Sequence, residues 1–349
     1  MRDCDVIVVG GGVTGSATAW WLARWGVDVA LVEQFDSGHE RGSSHGSTRI
    51  FRLAYPDPLY VDMARQALAL WRELEDDVDA ELVSSTGGID YGDWASVQPI
   101  VDALNAAAVP HEIVGPREAT ERWPGFVFEG PVLHQPDAGR IAAADVVRAL
   151  QTRAASKGAR LAFGETVRGL VPQGDGGILV TGDGDSYRAR AVVVTAGAWV
   201  GDLLCGLVDL PPLRVTREQV FHFPSRIEGA EWPSYICHGP APVYGLRAPG
   251  REGVKVAEHH TGPVTTAATR TFDIDSAARA RVVDHVAERM PGLEPVPTSE
   301  TTCLYTNTPD SSFVIERHGP IVVGSACSGH GFKFAPLVGR RLADLAMRR

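Results

Sequence analysis

The first residues whose spacing suggests chemistry are Gly10, Gly12 and Gly15, which follow the apolar run Val6-Ile7-Val8-Val9. In a strand–turn–helix unit, the first glycine permits a tight turn. The second lets the backbone approach a pyrophosphate, and the third lets the helix pack closely on the strand. A second run, Val27-Asp28-Val29-Ala30-Leu31-Val32, leads into Glu33 and Gln34. That puts a carboxylate about 20 residues downstream, where it can accept hydrogen bonds from a ribose 2′-hydroxyl. Strand, triplet, helix, strand and acid in this order predict a dinucleotide site, with Val13 and Thr14 in its turn. Arg49 and Arg52 lie three positions apart, just beyond a stretch rich in Gly, Ser and His. Their guanidinium groups could be surface charges or salt-bridge partners. Next to a nucleotide fingerprint they become candidates for anion contacts, because guanidinium forms bidentate bonds to a carboxylate. Lys157, Lys255 and Lys333 are the lysines of a chain with 33 basic residues, so each merits attention.

The elements that must hold these residues follow from periodicity. Gly15 to Trp25 reads as a helix ended at Gly26, with Trp21 and Trp25 sharing a packing face. Ser37 to Ser47 reads as an ordered loop, and Leu59 to Leu74 as a helix burying Leu68, Trp71 and Leu74. Shorter pieces such as Ile89-Asp90-Tyr91 suggest strands, with a helix over Val97 to Ala107 and another over Ala142 to Lys157. Strands are expected at Ala159–Phe163, Thr166–Val171, Gly177–Thr181 and Ser186–Ala189. Ala191 to Val194 should be a buried strand entering a small-residue turn. There Ala196, Gly197 and Trp199 form either a second cofactor contact or a plain corner. Alternation and Gly/Pro punctuation from 213 to 272 predict an antiparallel sheet, followed by a helix over Thr271 to Met290. Lys255 lies between Val254 and Val256 and must point opposite to them, which by itself is compatible with solvent. Ile321 to Gly324 reads as a strand, Ser328 to Phe334 as a loop and Leu337 to Met347 as the closing helix.

This pattern predicts an α/β protein with a discontinuous Rossmann-like domain from residues 1–80, 141–212 and 300–349. A second α+β domain, built on a mainly antiparallel sheet, would come from 81–140 and 213–299. A length of 349 residues suits two domains, and 44% hydrophobic with 22% charged residues suits a soluble enzyme. A formal net charge of -10 argues against nucleic acid as a partner. Cys4, Cys205, Cys237, Cys303 and Cys327 are scattered, which fits neither a disulfide framework nor a metal site. No apolar run has the length of a membrane span. The first strand begins almost at Met1, leaving no room for a cleavable secretion signal. The expectation is a cytoplasmic protein.

Several segments together carry a family resemblance. Gly42-Ser43-Ser44-His45-Gly46-Ser47-Thr48-Arg49-Ile50-Phe51-Arg52 is one, Cys303-Leu304-Tyr305-Thr306-Asn307-Thr308-Pro309-Asp310 another, and Ser328-Gly329-His330-Gly331-Phe332-Lys333 a third. In order and content they resemble the monomeric sarcosine oxidase and N-methyltryptophan oxidase family of flavin amine oxidases. The resemblance implies FAD, linked covalently through Cys303, whose thiol would otherwise be read as buried packing. It implies cofactor contacts from the glycine turn, Glu33, Gln34, the loop Ser43–Arg49, Val167, the 196–199 turn and Gly329–Lys333. It also implies that Arg49 lies against the flavin ring and that Arg52 with Lys333 binds a substrate carboxylate. Lys255 would supply positive charge for oxygen reduction. Tyr244, His259 and Tyr305, which in isolation read as structural, would line the substrate cavity. The family loop commonly has His and Asp where this chain has Ser44 and Ser47.

The function so implied is oxidation of a secondary, N-methyl or cyclic, α-amino acid by a monomeric enzyme, with O₂ reduced to H₂O₂. Within redox chemistry, the alternatives are a specialised biosynthetic imino-acid oxidase or a flavin amine dehydrogenase using another acceptor. A catalytically silent flavin-binding protein would bind FAD that no amine bleaches. A nicotinamide dehydrogenase would share the glycine turn but leave Cys303 and the terminal Ser-Gly-His-Gly-Phe-Lys segment unexplained.

Overall fold

The computed structural model describes residues 1–348. A continuous apolar strand is stable only when covered on both faces, and Val6–Val9 is buried at every position. It lies inside a six-stranded sheet ordered Arg160–Phe163, Val29–Glu33, Val6–Val9, Ala191–Val194, Ile321–Ser325 and Val314–His318. The first five run parallel and the last antiparallel. Beginning, middle and end of the chain therefore meet in one sheet. The helices Val13–Arg24 and Ala335–Met347 cross closely, and a Cβ on Gly339 would lie 2.7 Å from the backbone of Ala17.

The tryptophans of the first helix pack. The Trp21 indole donates to the Pro336 carbonyl (2.9 Å) and the Trp20 indole to Asp77 (2.9 Å). Trp21 and Trp25 have ring centroids 5.6 Å apart, although Trp25 remains 40% exposed. The helix Pro58–Val78 starts where Asp57 accepts from the Leu59 amide (2.8 Å), and it ends at Asp79 in the left-handed region. It outruns the expected Leu74, and its buried side includes Val61, Ala64, Trp71 and Leu74 while Leu68 is only half-buried.

An eight-stranded sheet takes the order Ser299–Asn307, Arg214–Phe223, Val254–Glu258, Val243–Arg247, Ser234–His238, Gly88–Gly92, Val132–Gln135 and Glu112–Val114. All pairs are antiparallel except Ser234–His238 with Gly88–Gly92, where the two excursions of the chain join. Ser299–Asn307 belongs to this sheet, so a boundary at residue 300 runs along a strand paired with Arg214–Phe223. One face packs on an apolar cluster that includes Ile89, Tyr91, Phe221, Tyr235 and Val256.

Three local expectations are corrected. Arg49 is not in a loop: Thr48–Phe51 is a strand paired with Gly139–Ala142, its β-branched Thr48 and Ile50 hidden behind the Gly/Ser-rich stretch. The helix expected from Thr271 begins only at Ser276, where Asp275 accepts from the amides of Ala277 (2.8 Å) and Ala278 (3.2 Å). Within Ser328–Phe334, Phe332–Phe334 forms a 3₁₀ turn leading into the last helix.

Candidate active site

A cavity of about 1520 Å³ lies between the C-terminal ends of the parallel strands and one face of the eight-stranded sheet. At the parallel-strand end, Gly10 has φ +102°, and a Cβ there would sit 2.5 Å from the Thr195 carbonyl oxygen. Gly15 lies beneath the turn rather than on the cavity wall, and its Cβ would be 1.9 Å from the Gly10 oxygen. Gly12, Val13 and Thr14 line the cavity. Glu33 accepts from the Gly11 amide (2.7 Å) and the Phe35 amide (3.0 Å). Burial opposes ionisation of Glu33, but the hydrogen bonds from His39 and from these amides outweigh it and hold the carboxyl below its usual range. Ser44 accepts from the Val13 amide (3.0 Å) at the start of the helix, a direct task for a residue that departs from the family loop. Gln34, Val167, Ala196, Gly197 and Trp199 also line this end.

In the middle of the cavity, Arg49 is locked by carbonyls. Its guanidinium donates to Ser43 (2.8 Å), His45 (2.7 Å) and Thr48 (2.7 Å) and lies 5.4 Å from the Phe332 ring centroid. The Lys255 ammonium donates to the Thr48 carbonyl (3.2 Å). Its side chain is buried against the cavity, so the solvent-facing alternative is excluded. Burial, reinforced by Arg49, pushes its pKa down to about 7. Cys303 is buried nearby; burial raises its pKa while Arg49 and Lys255 act in the opposite direction. Ser47 lines the same region and donates to Glu252 (2.6 Å).

The far end carries Arg52, Lys333, Tyr244, His259 and Tyr305. Arg52 lies 4.4 Å above the Tyr55 ring centroid and donates to the Ala54 carbonyl. The Lys333 ammonium donates to the Tyr55 hydroxyl (2.9 Å) and the His330 carbonyl (2.8 Å). Burial and Arg52 hold its pKa well below that of an ordinary lysine. Tyr305 is 3.5 Å from both the Tyr244 hydroxyl and His259 Nδ1. Burial, with neighbouring His260 and Arg52, keeps His259 neutral at physiological pH. Gly329 has φ +72°, and a Cβ there would lie 2.4 Å from the Tyr305 ring, so the Gly329–Gly331 turn can press against the aromatic wall. The expected residues thus converge on one cavity, apart from Gly15 and Thr48, which lie just behind its wall.

Asp90, His222, His238 and Tyr55 were not expected at the site. Asp90 bonds His238, a lining residue (2.8 Å), and His222 lines the cavity opposite Lys255 in the strand register. Each of Asp90, His222 and His238 occupies an alternating strand position, a signal that gives the face but not what covers it.

A family model described as FAD dependent oxidoreductase matches residues 5–345. The chain belongs to this family. Human peroxisomal sarcosine oxidase is 33% identical to it, over 99% of this chain and 92% of that protein. Monomeric sarcosine oxidase of Bacillus sp. (strain NS-129) is 33% identical over 98% and 92% respectively. Among solved structures, NikD in its open form, described as an unusual amino acid oxidase essential for nikkomycin biosynthesis, superposes with a TM-score of 0.91. It is 29% identical, covering 100% of this chain and 95% of that one. The FAD-binding fold expected of the chain is therefore present.

The residues fit FAD. Besides the glycine cradle, the lining residues His45 and His222 each have a buried Nε2 without a hydrogen-bond partner. A large group bearing donors and acceptors would satisfy them. Gly15→Ala is expected to abolish FAD retention by this FAD dependent oxidoreductase, because the new methyl group collides with backbone rather than with a movable side chain. The flavin-to-protein absorbance ratio after purification measures it, and a wild-type ratio would contradict the argument. No helix among the described residues is long and apolar enough to cross a membrane, and no cluster among them could hold a metal ion.

Proposed function

We propose that the protein is an FAD-dependent oxidase of secondary α-amino acids, N-methylated or cyclic. The carrying observation is that half-buried Arg52 and buried Lys333 line the same cavity as Arg49, Lys255 and Cys303. The names of the relatives point to the same chemistry. When bound, FAD would supply the two-electron chemistry that turns a secondary amine into an imine, which water hydrolyses, with the electrons and protons leaving on O₂ as H₂O₂.

The chain's own residues bind, orient and supply charge. Arg52 and Lys333 hold the substrate carboxylate, fixing the direction in which the amine enters. Tyr244, His259 and Tyr305 wall the amine. Neutral His259 offers that wall a polar group without charge, while burial and the neighbouring Arg52 favour the unprotonated amine, the form able to lose hydride. Lys255 places a cation where negative charge develops during oxygen reduction, and Arg49 presents a guanidinium held by backbone carbonyls. The glycine turn and Glu33 hold the nucleotide part, aided by Gln34, Val167 and the 196–199 turn. Ser43, Ser44, His45, Ser47, Thr48 and Gly329–Phe332 complete the cofactor cradle.

The reading includes two domains, discontinuous in sequence, and covalent attachment of FAD through Cys303. The nearby Arg49 and Lys255 support attachment, since both cations oppose the burial that raises the Cys303 pKa and so favour its reactive thiolate. Acid denaturation is expected to leave the yellow colour on the polypeptide. Release of all flavin into the supernatant would remove the covalent assignment and leave FAD binding intact. The protein would act as a cytoplasmic monomer on a free amino acid and O₂, with no nucleic acid partner, in keeping with its net charge of -10. An anaerobic flavin-bleaching screen over sarcosine, N-methyl amino acids, proline, pipecolate and simple amines tests the substrate class. Bleaching should require a carboxylate beside a secondary amine, and equal reduction by carboxylate-free amines would overturn the reading.

A further inference from the structure

We propose that Asp90 is a specificity-determining residue that makes this site accept monocarboxylic substrates and reject those with a second acid close to the first. The proposal rests on the reading of Arg52 as a carboxylate-binding residue. Asp90 lies in the strand Gly88–Gly92, in register with Ile236 of the parallel neighbour. Ile236 and His238 line the cavity, whereas Ile89 and Tyr91, the neighbours of Asp90 in its own strand, belong to the apolar cluster on the opposite face. Asp90 therefore points to the cavity side although it is only 3% exposed. Its Oδ1 is 2.8 Å from His238 Nε2 and 3.6 Å from Arg52 Nη1.

The 3.6 Å separation is too long for a hydrogen bond. Arg52 takes its orientation from the Ala54 carbonyl and from the Tyr55 ring beneath it. Asp90 thus contributes charge rather than scaffolding. His238 satisfies it with a hydrogen bond, as a buried carboxylate requires. A single carboxylate arriving between Arg52 and Lys333 meets two cations and one anion, and attraction prevails. A second carboxylate two or three bonds away comes near Asp90, which lies just behind the lining residues Arg52 and His238 where solvent screens poorly, and pays for that repulsion. A carboxamide of the same shape does not.

Succinate and succinamate test this, because they differ by one charge and neither carries an oxidisable amine. Calorimetric titration of the FAD-loaded enzyme is expected to show succinamate bound roughly tenfold more tightly, about 1.4 kcal/mol. In Asp90→Asn the ratio should approach one, mainly through tighter succinate binding. His238→Gln keeps a donor for Asp90 and should keep the discrimination. Flavin content and thermal melting verify that each variant is folded. Equal affinities in the wild type, or an unchanged ratio in Asp90→Asn, would overturn the proposal. The wild-type comparison decides by itself if Asp90→Asn fails to retain FAD. Arg52→Met separates the two levels. If succinamate binds no more weakly to it, or if the wild type binds neither ligand, the carboxylate-binding reading fails and this inference falls with it. If Arg52→Met weakens binding but the ratios contradict the expectation, only the role of Asp90 is lost.

Discussion

Replacing Lys255 by Met is expected to slow reoxidation of the reduced enzyme by O₂ roughly 10²–10³-fold, the usual cost of removing a preorganised stabiliser of developing charge. Reduction by substrate under anaerobic conditions should change far less. The argument is positional: the Lys255 ammonium is buried, bonded to the Thr48 carbonyl, and brought to the cavity by a strand that cannot rotate it away. Met keeps the unbranched shape and removes the charge. Stopped-flow measurement of both half-reactions checks this, and equal slowing of the two would refute the assigned role. Burial and Arg49 push the Lys255 pKa down to about 7, so the ammonium is present below that value and lost above it. Reactivity with O₂ should therefore fall as pH rises through this midpoint. A bound anionic cofactor would move the midpoint upward without changing the sign, and Lys255→Met should abolish the dependence.

Arg52→Ala should raise the apparent KM for a secondary amino acid by one to three decades. Removing one partner of a desolvated charged contact costs about 2–5 kcal/mol in binding. Lys333 would remain, but its pKa is depressed by burial and by Arg52 itself, so it cannot replace the guanidinium fork. Affinity for a carboxylate-free amine should hardly move, which separates loss of the clamp from general damage. Unaltered KM for the amino acid in steady-state assays would rule out Arg52 as the carboxylate-binding group.

The nucleotide end of the cavity was legible because its chemistry is local. Gly10, Gly15 and Glu33 belong to one strand–turn–helix–strand unit, and each meets its partner within it or beside it. The environment of Lys255 was not legible in the same way. Alternation showed that Lys255 points away from Val254 and Val256, but both faces of that sheet are covered, one by apolar side chains and one by the cavity wall. Periodicity cannot distinguish cavity from solvent. Asp90 and His238 were missed for the same reason, since their pairing depends on two excursions joining through one parallel strand contact. Resemblance supplied what spacing could not: Cys303, Arg52 and Lys333 are far apart in sequence, and no local rule connects them.

The three-part assembly of the six-stranded sheet has a consequence for biosynthesis. Val6–Val9 has one neighbour in Val29–Glu33, whereas the next, Ala191–Val194, gains its own outer partner only when Ile321–Ser325 arrives. At about 5–20 residues per second, the ribosome needs on the order of ten seconds to span that interval. Throughout it the nascent chain carries an apolar strand edge without its final cover, the exposure that chaperones shield. The strand Ser299–Asn307, which bears Cys303, and the turn Gly329–Gly331 emerge in the same closing stretch. Loading of the cofactor therefore waits until residues 299–331 have been made, long after the glycine turn that shares the cavity with them.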